Sequence, residues 1–221
     1  MEQLHGMKKA PGGHKRIVFC DFDGTITARE SLEAVLRTFT PEAYNAMMDR
    51  LRAGEVTIRD GVREMVGGIP SRRYPEILSF VKEIPIRPGF EELLDYLEAR
   101  GIPFIVLSGG LRGMVEARLG PLKARIHRII AADVDLSGES IRVVSEYESR
   151  TELVAKPAVM DRFAAEESIV IGDGITDFQM ARHGRVRFAR GTLARYLDQE
   201  GLDYYPWSDF HDVRAVLEKS I

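Results

Sequence analysis

The stretch that most constrains this chain is residues 16–27, which read Arg-Ile-Val-Phe-Cys-Asp-Phe-Asp-Gly-Thr-Ile-Thr. An apolar run at 17–20 ends at Asp21 and Asp23, with Gly24 and Thr25 next. A short apolar run closed by a turn residue reads as a buried parallel strand. Side chains alternate along a strand, so Asp21 and Asp23 fall on the same side. Crowded carboxylates are costly unless a cation or a reaction needs them. In open α/β sheets the C-terminal ends of the strands are where ligands bind.

The rest of the chain supplies the sheet. After Thr27, Leu32, Val35, Leu36 and Phe39 form one helical stripe. Thr40-Pro41 predicts a capped helix start, and Thr57 with Asp60 predicts another. A fourth helix begins near Ser71. Helices in succession with no strand between them predict a separate helical subdomain over 29–84, inserted into a core formed by 16–28 and 85–221. From Pro88 onward, strands and helices alternate: strands at 102–107, 168–171 and 186–189, a hairpin over 129–144, and helices near 90–97, 111–119, 151–166, 175–183, 192–200 and 209–219. Tyr204-Tyr205 is a candidate edge strand. This order implies an α/β fold with a mostly parallel sheet covered on both faces. Residues 1–15 read as a loose tail, with Met7 a candidate start.

Three strand ends carry polar or flexible residues: Asp21 to Thr25, Ser108-Gly109-Gly110, and Gly172-Asp173-Gly174 followed by Ile175-Thr176-Asp177. Parallel strands bring them to one edge of the sheet. Asp21 and Asp173, with a backbone carbonyl and water, make a hard-oxygen site of the kind Mg²⁺ favours. Ser108 with the Gly109 and Gly110 amides, read as a helix N-terminus, suits an anion. Lys156 is the candidate long-reach positive charge. Together they point to phosphoryl transfer through an aspartyl-phosphate, with one carboxylate as nucleophile and a second as acid and base.

These segments resemble the four motifs of the haloacid dehalogenase superfamily phosphatases, over about residues 16–221. The resemblance implies a Rossmann-like three-layer α/β core with a small helical (C1-type) cap. It implies Asp21 as nucleophile and Asp23 as general acid and base. Mg²⁺ would be held by Asp21, the carbonyl of Asp23, and Asp173, with Asp177 and Thr25 in support. The phosphoryl group would be held by Ser108, Gly109 and Lys156. The inserted helices resemble the cap of the phosphoserine phosphatase-like branch. Within that branch, Ile86-Arg87-Pro88-Gly89-Phe90, Lys156-Pro157, Phe188-Ala189-Arg190 and Tyr205-Pro206-Trp207-Ser208-Asp209-Phe210 resemble the phosphatases of methionine salvage. The segment before Lys156 departs from that group in holding no cysteine. Glu30 and Arg63, by contrast, fall where phosphoserine phosphatases keep a glutamate for the substrate amine and an arginine for its carboxylate.

The expected partner is a small phosphorylated metabolite. A net charge of -3 offers no basic excess for nucleic acid, and no apolar run is long enough to span a membrane. Cys20 is the single cysteine, which excludes an intramolecular disulfide and fits a cytoplasmic enzyme. Each motif also has a plainer reading: a turn aspartate, a surface lysine, a solvated Arg63, a first-turn Glu30 favoured by its helix. His127, His183 and His211 show no metal-ligand spacing. Phosphoserine phosphatase, transfer to an acceptor other than water, and a non-catalytic phosphate-sensing module are the competing readings.

Overall fold

The structure, a computed structural model, describes residues 13–220; most of the expected N-terminal tail lies outside them. Strand β1, His14–Cys20, begins three residues before the apolar run and occupies the middle of a seven-stranded sheet. The others are β2 (Phe104–Leu111), β3 (Arg128–Asp135), β4 (Arg142–Val144), β5 (Ala165–Gly172), β6 (Val186–Ala189) and β7 (Tyr205–Pro206). Their order is β4-β3-β2-β1-β5-β6-β7. All neighbours are parallel except β3 and β4, which form the expected hairpin. The edge strand at Tyr205 is present, two residues long.

Alternation along β1 divides the core. Ile17 and Phe19 face Ile105, Leu107 and Val170 in one apolar cluster, while Val18 and Cys20 face Phe104, Val106, Ile169 and Ile171 in another. All four β1 side chains are at most 1% exposed; burying each of the larger ones contributes about 1.5–3 kcal/mol. The first face is covered by α7 (Lys156–Met160), α8 (Phe178–His183) and α9 (Gly191–Gln199), and the second by α5 (Phe90–Glu98) and α10 (Phe210–Ser220). Asp21 has the parity of Ile17 and Phe19, so it points toward the face that carries Lys156.

The chain leaves the sheet after Thr27 and returns at Ile86, where these two residues form an antiparallel bridge. Between them lie α1 (Ser31–Phe39), α2 (Pro41–Arg52), α3 (Ile58–Gly67) and α4 (Tyr74–Lys82). Their stripes close a third apolar cluster containing Val35, Met47, Val62, Met65 and Ile77. That cluster continues into Leu111, Met114, Ala132 and Val143, so the helices share apolar packing with β3, β4 and α6 (Arg112–Leu119). Thr57 caps α3 as expected, accepting from the Asp60 amide at 3.1 Å. Thr40 does not cap α2; its hydroxyl instead donates back to the Leu36 carbonyl at 3.0 Å.

Two further sequence expectations fail for identifiable reasons. The helix expected over 151–166 shrinks to Lys156–Met160. Pro157 has no amide to donate and disfavours helix in the residue before it, so it marks a first turn rather than an interior. Ser108-Gly109-Gly110 is not a helix N-terminus. It lies inside β2, where the register with β3 shifts between Leu107 and Leu111, and α6 starts only at Arg112.

Candidate active site

The site is built on the C-terminal ends of three adjacent strands, β2, β1 and β5. After β1 the chain turns through a tight loop, Phe22–Ile26. Gly24 takes φ 76°, and a Cβ there would lie 2.6 Å from Asp173 Oδ2 and 2.8 Å from Glu30 Oε1. Only glycine reconciles the left-handed backbone with such close approach. Thr27 closes the loop: its hydroxyl donates to the Phe22 carbonyl at 3.0 Å and accepts from the Gly24 amide at 3.1 Å.

Asp21, 5% exposed, lies at the floor of the site. The Lys156 ammonium is 2.6 Å from Asp21 Oδ1 and 2.6 Å from Asp177 Oδ1. The other oxygen of Asp177 accepts the amides of Asp173 and Gly174, each at 3.0 Å. Asp177 therefore shapes the loop after β5 while anchoring the lysine. Thr25 donates to Asp173 Oδ1 at 2.8 Å and ties the first loop to the second. Asp21, Asp173 and Asp177 each offer a carboxylate oxygen, and these lie within 4.8 Å of one another, a group that can hold a metal ion.

Asp23 has a different environment. Its Oδ1 accepts the Ser31 amide at 2.9 Å, the Leu32 amide at 3.2 Å, and the Ser31 hydroxyl. The N-terminus of α1 thus takes its capping carboxylate from Asp23 rather than from the adjacent Glu30. The other oxygen faces the hydroxyl of buried Ser108 at 3.4 Å, and that hydroxyl accepts the Gly110 amide at 2.9 Å. The Asp23 carboxylate is outside the acidic trio; the atom assigned to the metal from sequence was its backbone carbonyl.

The charges do not balance within the trio. Burial by itself would lower the Lys156 pKa, but Asp177 and Asp21 outweigh it and hold the ammonium charged. Asp21 is pushed well above the ordinary carboxylate range by burial and by Asp177, against the pull of Lys156. Asp173 is pushed up to about 6 by burial and by Asp177. The Lys156 ammonium bonds two of these three hard-oxygen carboxylates, and Asp173 is left to the Thr25 hydroxyl. A divalent cation fits that donor set and would relieve the surplus negative charge.

Above this floor lies a cavity of about 240 Å³. Its polar lining includes Asp21, Asp23, Glu30, Gly109, Gly110, Asp173 and Asp177; its opposite wall is Leu32, Leu36, Met48, Leu51, Val62 and Met65, from α1, α2 and α3. Lysine and arginine are absent from the described lining. Glu30 lines the cavity, and desolvation, followed by Asp23 and Asp21, pushes its pKa up to about 9. Arg63 does not line it. Its guanidinium pairs with Glu148 at 2.5 Å, on the loop leading to Lys156.

The sequence pattern of the haloacid dehalogenase-like hydrolases matches residues 18–182. The chain belongs to that family. Its sequence is 41% identical over 204 residues to the 2-hydroxy-3-keto-5-methylthiopentenyl-1-phosphate phosphatase of Microcystis aeruginosa, covering 91% of this chain and 97% of the relative. The phosphatase of the same name from Geobacillus kaustophilus is 32% identical over 211 residues, covering 92% and 96%. Among solved structures, a substrate-bound phosphoserine phosphatase complex superposes with a TM-score of 0.69 at 18% identity, covering 95% of this chain and 99% of that one. This haloacid dehalogenase-like chain is a hydrolase with a three-layer α/β core, as its motifs implied. Sequence reasoning passed over Ser31 and the α1 amides, which hold the Asp23 carboxylate in place. Ser31 stands just before the stripe of α1 and could have been read as a cap, but nothing local marked it as a partner of Asp23.

Proposed function

We propose that this chain is a Mg²⁺-dependent phosphatase that hydrolyses 2-hydroxy-3-keto-5-methylthiopentenyl-1-phosphate, or a close analogue, through an aspartyl-phosphate on Asp21. The observation that carries the reading is the two-sided cavity, with carboxylates below and an apolar wall without basic side chains above. A phosphate bearing an uncharged, apolar tail fits both sides. The identities to phosphatases named for that substrate support the same choice.

In this reading Asp21 attacks phosphorus while Asp23, as general acid, gives a proton to the departing oxygen. Asp23 then takes a proton from the water that attacks the aspartyl-phosphate, which releases phosphate and regenerates Asp21. The α1 amides and Ser31 fix Asp23 for both steps. Lys156, already 2.6 Å from Asp21, neutralises charge on the phosphoryl oxygens, assisted by Ser108 and the Gly109 amide. Mg²⁺, held by Asp21, the Asp23 carbonyl and Asp173, would polarise the phosphoryl group. Residues 29–84 act as the cap that excludes water, over a catalytic core of 16–28 and 85–221. The absence of a disulfide goes with a cytoplasmic setting.

Glu30 in the lining is the one feature that favours phosphoserine, through its amine. A phosphoserine carboxylate would find no cation there, because Arg63 is engaged by Glu148. The test is kcat/KM for the thioether-bearing enol phosphate and for phosphoserine, with Mg²⁺ present. Burial of the tail predicts a preference of roughly 10–200-fold for the former, cut sharply by Met65→Glu. Equal or better hydrolysis of phosphoserine would overturn the assignment, and no turnover of either would favour a phosphate-sensing module.

A further inference from the structure

The carbonyls of the loop after β1 converge on one side chain. Arg87 Nε donates to the Thr25 carbonyl at 3.0 Å, and its Nη2 donates to the Gly24 carbonyl at 2.5 Å and the Thr27 carbonyl at 3.4 Å. Its backbone amide donates to the Ile26 carbonyl at 2.8 Å. Buried carbonyls need donors, and a planar fork can serve several at once where an ammonium cannot. The remaining arm, Nη1, donates to the Ser208 carbonyl at 3.4 Å, in the segment after β7.

The same guanidinium lies 5.4 Å from the ring centre of Trp207, and so does that of Arg190. Arg190 also donates to the Ser208 carbonyl, at 3.2 Å. Trp207 is 5% exposed, and its indole N–H donates to the Gly172 carbonyl at 3.4 Å. Gly172 immediately precedes Asp173. A continuous chain of contacts therefore runs from the Asp23–Thr25 loop, through Arg87 and Trp207, to the loop of Asp173. None of Arg87, Arg190 and Trp207 lines the cavity.

We propose that Arg87 is a positioning residue, which locks the Asp23-bearing loop and the Asp173-bearing loop into one geometry through Trp207. The inference rests on the assignment of these loops as the metal and phosphoryl site. Arg87 touches neither substrate nor the reacting carboxylates; it sets how they are presented. Loss of the fork frees the Gly24 and Thr25 carbonyls, and through Thr25 loosens Asp173.

Trp207 is the single tryptophan of the chain, so its emission reports on this contact directly. The experiment titrates Mg²⁺ into the wild-type chain, Arg87→Lys and Arg87→Met, followed by calorimetry and by tryptophan fluorescence, with kcat and KM measured alongside. Mg²⁺ should perturb Trp207 emission in the wild type. Arg87→Lys should bind Mg²⁺ about 10-fold or more weakly and lose kcat, with little change in KM because the apolar wall is untouched. Guanidinium added to Arg87→Met should restore part of both. If Arg87→Met fails to fold, Arg87→Lys decides the matter, since it keeps the charge and the stem. Variants that melt earlier but bind Mg²⁺ as the wild type does would make Arg87 a structural prop and overturn the proposal. A wild-type chain that neither binds Mg²⁺ nor hydrolyses a phosphate would instead overturn the functional assignment beneath it.

Discussion

Replacing Lys156 by methionine tests the charge arrangement of the site at its centre. Lys156 is 2% exposed, and its ammonium bonds Asp21 and Asp177 at 2.6 Å each. Removing one partner of a buried ion pair costs about 3–5 kcal/mol. Here one cation serves both carboxylates, with Asp173 close by, so the upper end applies. For a chain of this size each kcal/mol moves the melting temperature by roughly 2–4 °C, and the expected fall is roughly 10–20 °C. The sign with pH follows from the carboxylates. Without the ammonium the folded pKa of Asp21 rises further above its unfolded value. Stability is then present at acid pH and is lost as pH climbs from the unfolded carboxylate value through the raised folded one. Thermal unfolding in EDTA at pH 5 and pH 8 should therefore show a deficit that is larger at pH 8. A methionine variant that melts with the wild type at pH 8, or whose deficit grows toward acid, would refute the buried triad.

Asp21→Asn should abolish phosphatase turnover while leaving the metal-free protein at least as stable as the wild type, because a crowded carboxylate becomes neutral and its oxygen can still accept from Lys156; activity and melting in EDTA read both. Glu30→Gln should stabilise the metal-free protein at pH 8 and not at pH 4. Wild-type Glu30 has a folded pKa near 9, so stability is lost as pH rises from the unfolded carboxylate value toward 9, by an amount that solvent screening at this exposed residue reduces; parallel melting curves at both pH values check it. Arg63→Ala should leave KM for every phosphate substrate within about twofold, since Arg63 stands outside the cavity in a half-buried ion pair with Glu148; steady-state kinetics decide.

Much of the floor of the site was legible in sequence because parity and turn chemistry are local. The apolar run before Asp21 fixes which way that side chain points, and Gly24 announces the turn after it. The three strand ends follow from alternation of strands and helices, which forces a parallel sheet. What local pattern could not carry were contacts across long chain separations. Arg87 is 62 positions from Thr25, and nothing in the phrase Arg87-Pro88-Gly89 marks its side chain as the donor to that loop. Arg63 sits on a helix of the right periodicity, yet the choice between cavity and Glu148 depends on how α3 packs beside the 145–155 loop. The shortening of the helix expected at 151–166 has a local cause, since Pro157 lies inside that span and its chemistry marks a beginning.

The unbalanced charge also orders the binding events. The described cavity lining holds Asp21, Asp23, Glu30, Glu33, Asp173 and Asp177 and no basic side chain, and Lys156 is already engaged beneath it. A phosphate dianion approaching this floor meets like charge: each pair of unit charges 4 Å apart opposes entry by about 4 kcal/mol at an effective dielectric constant of 20. Protonation of Glu30 softens that repulsion without reversing it. A divalent cation beside Asp21 and Asp173 would offset most of it and offer a ligand to the phosphate oxygens, so cation binding is expected to precede phosphate binding. Inorganic phosphate should accordingly protect the chain from thermal unfolding only when Mg²⁺ is present, whereas Mg²⁺ should protect it alone. Protection by phosphate in EDTA comparable with that in Mg²⁺ would mean that the anion is held by Lys156 and the backbone amides without the cation, and that the carboxylate surplus does not govern access.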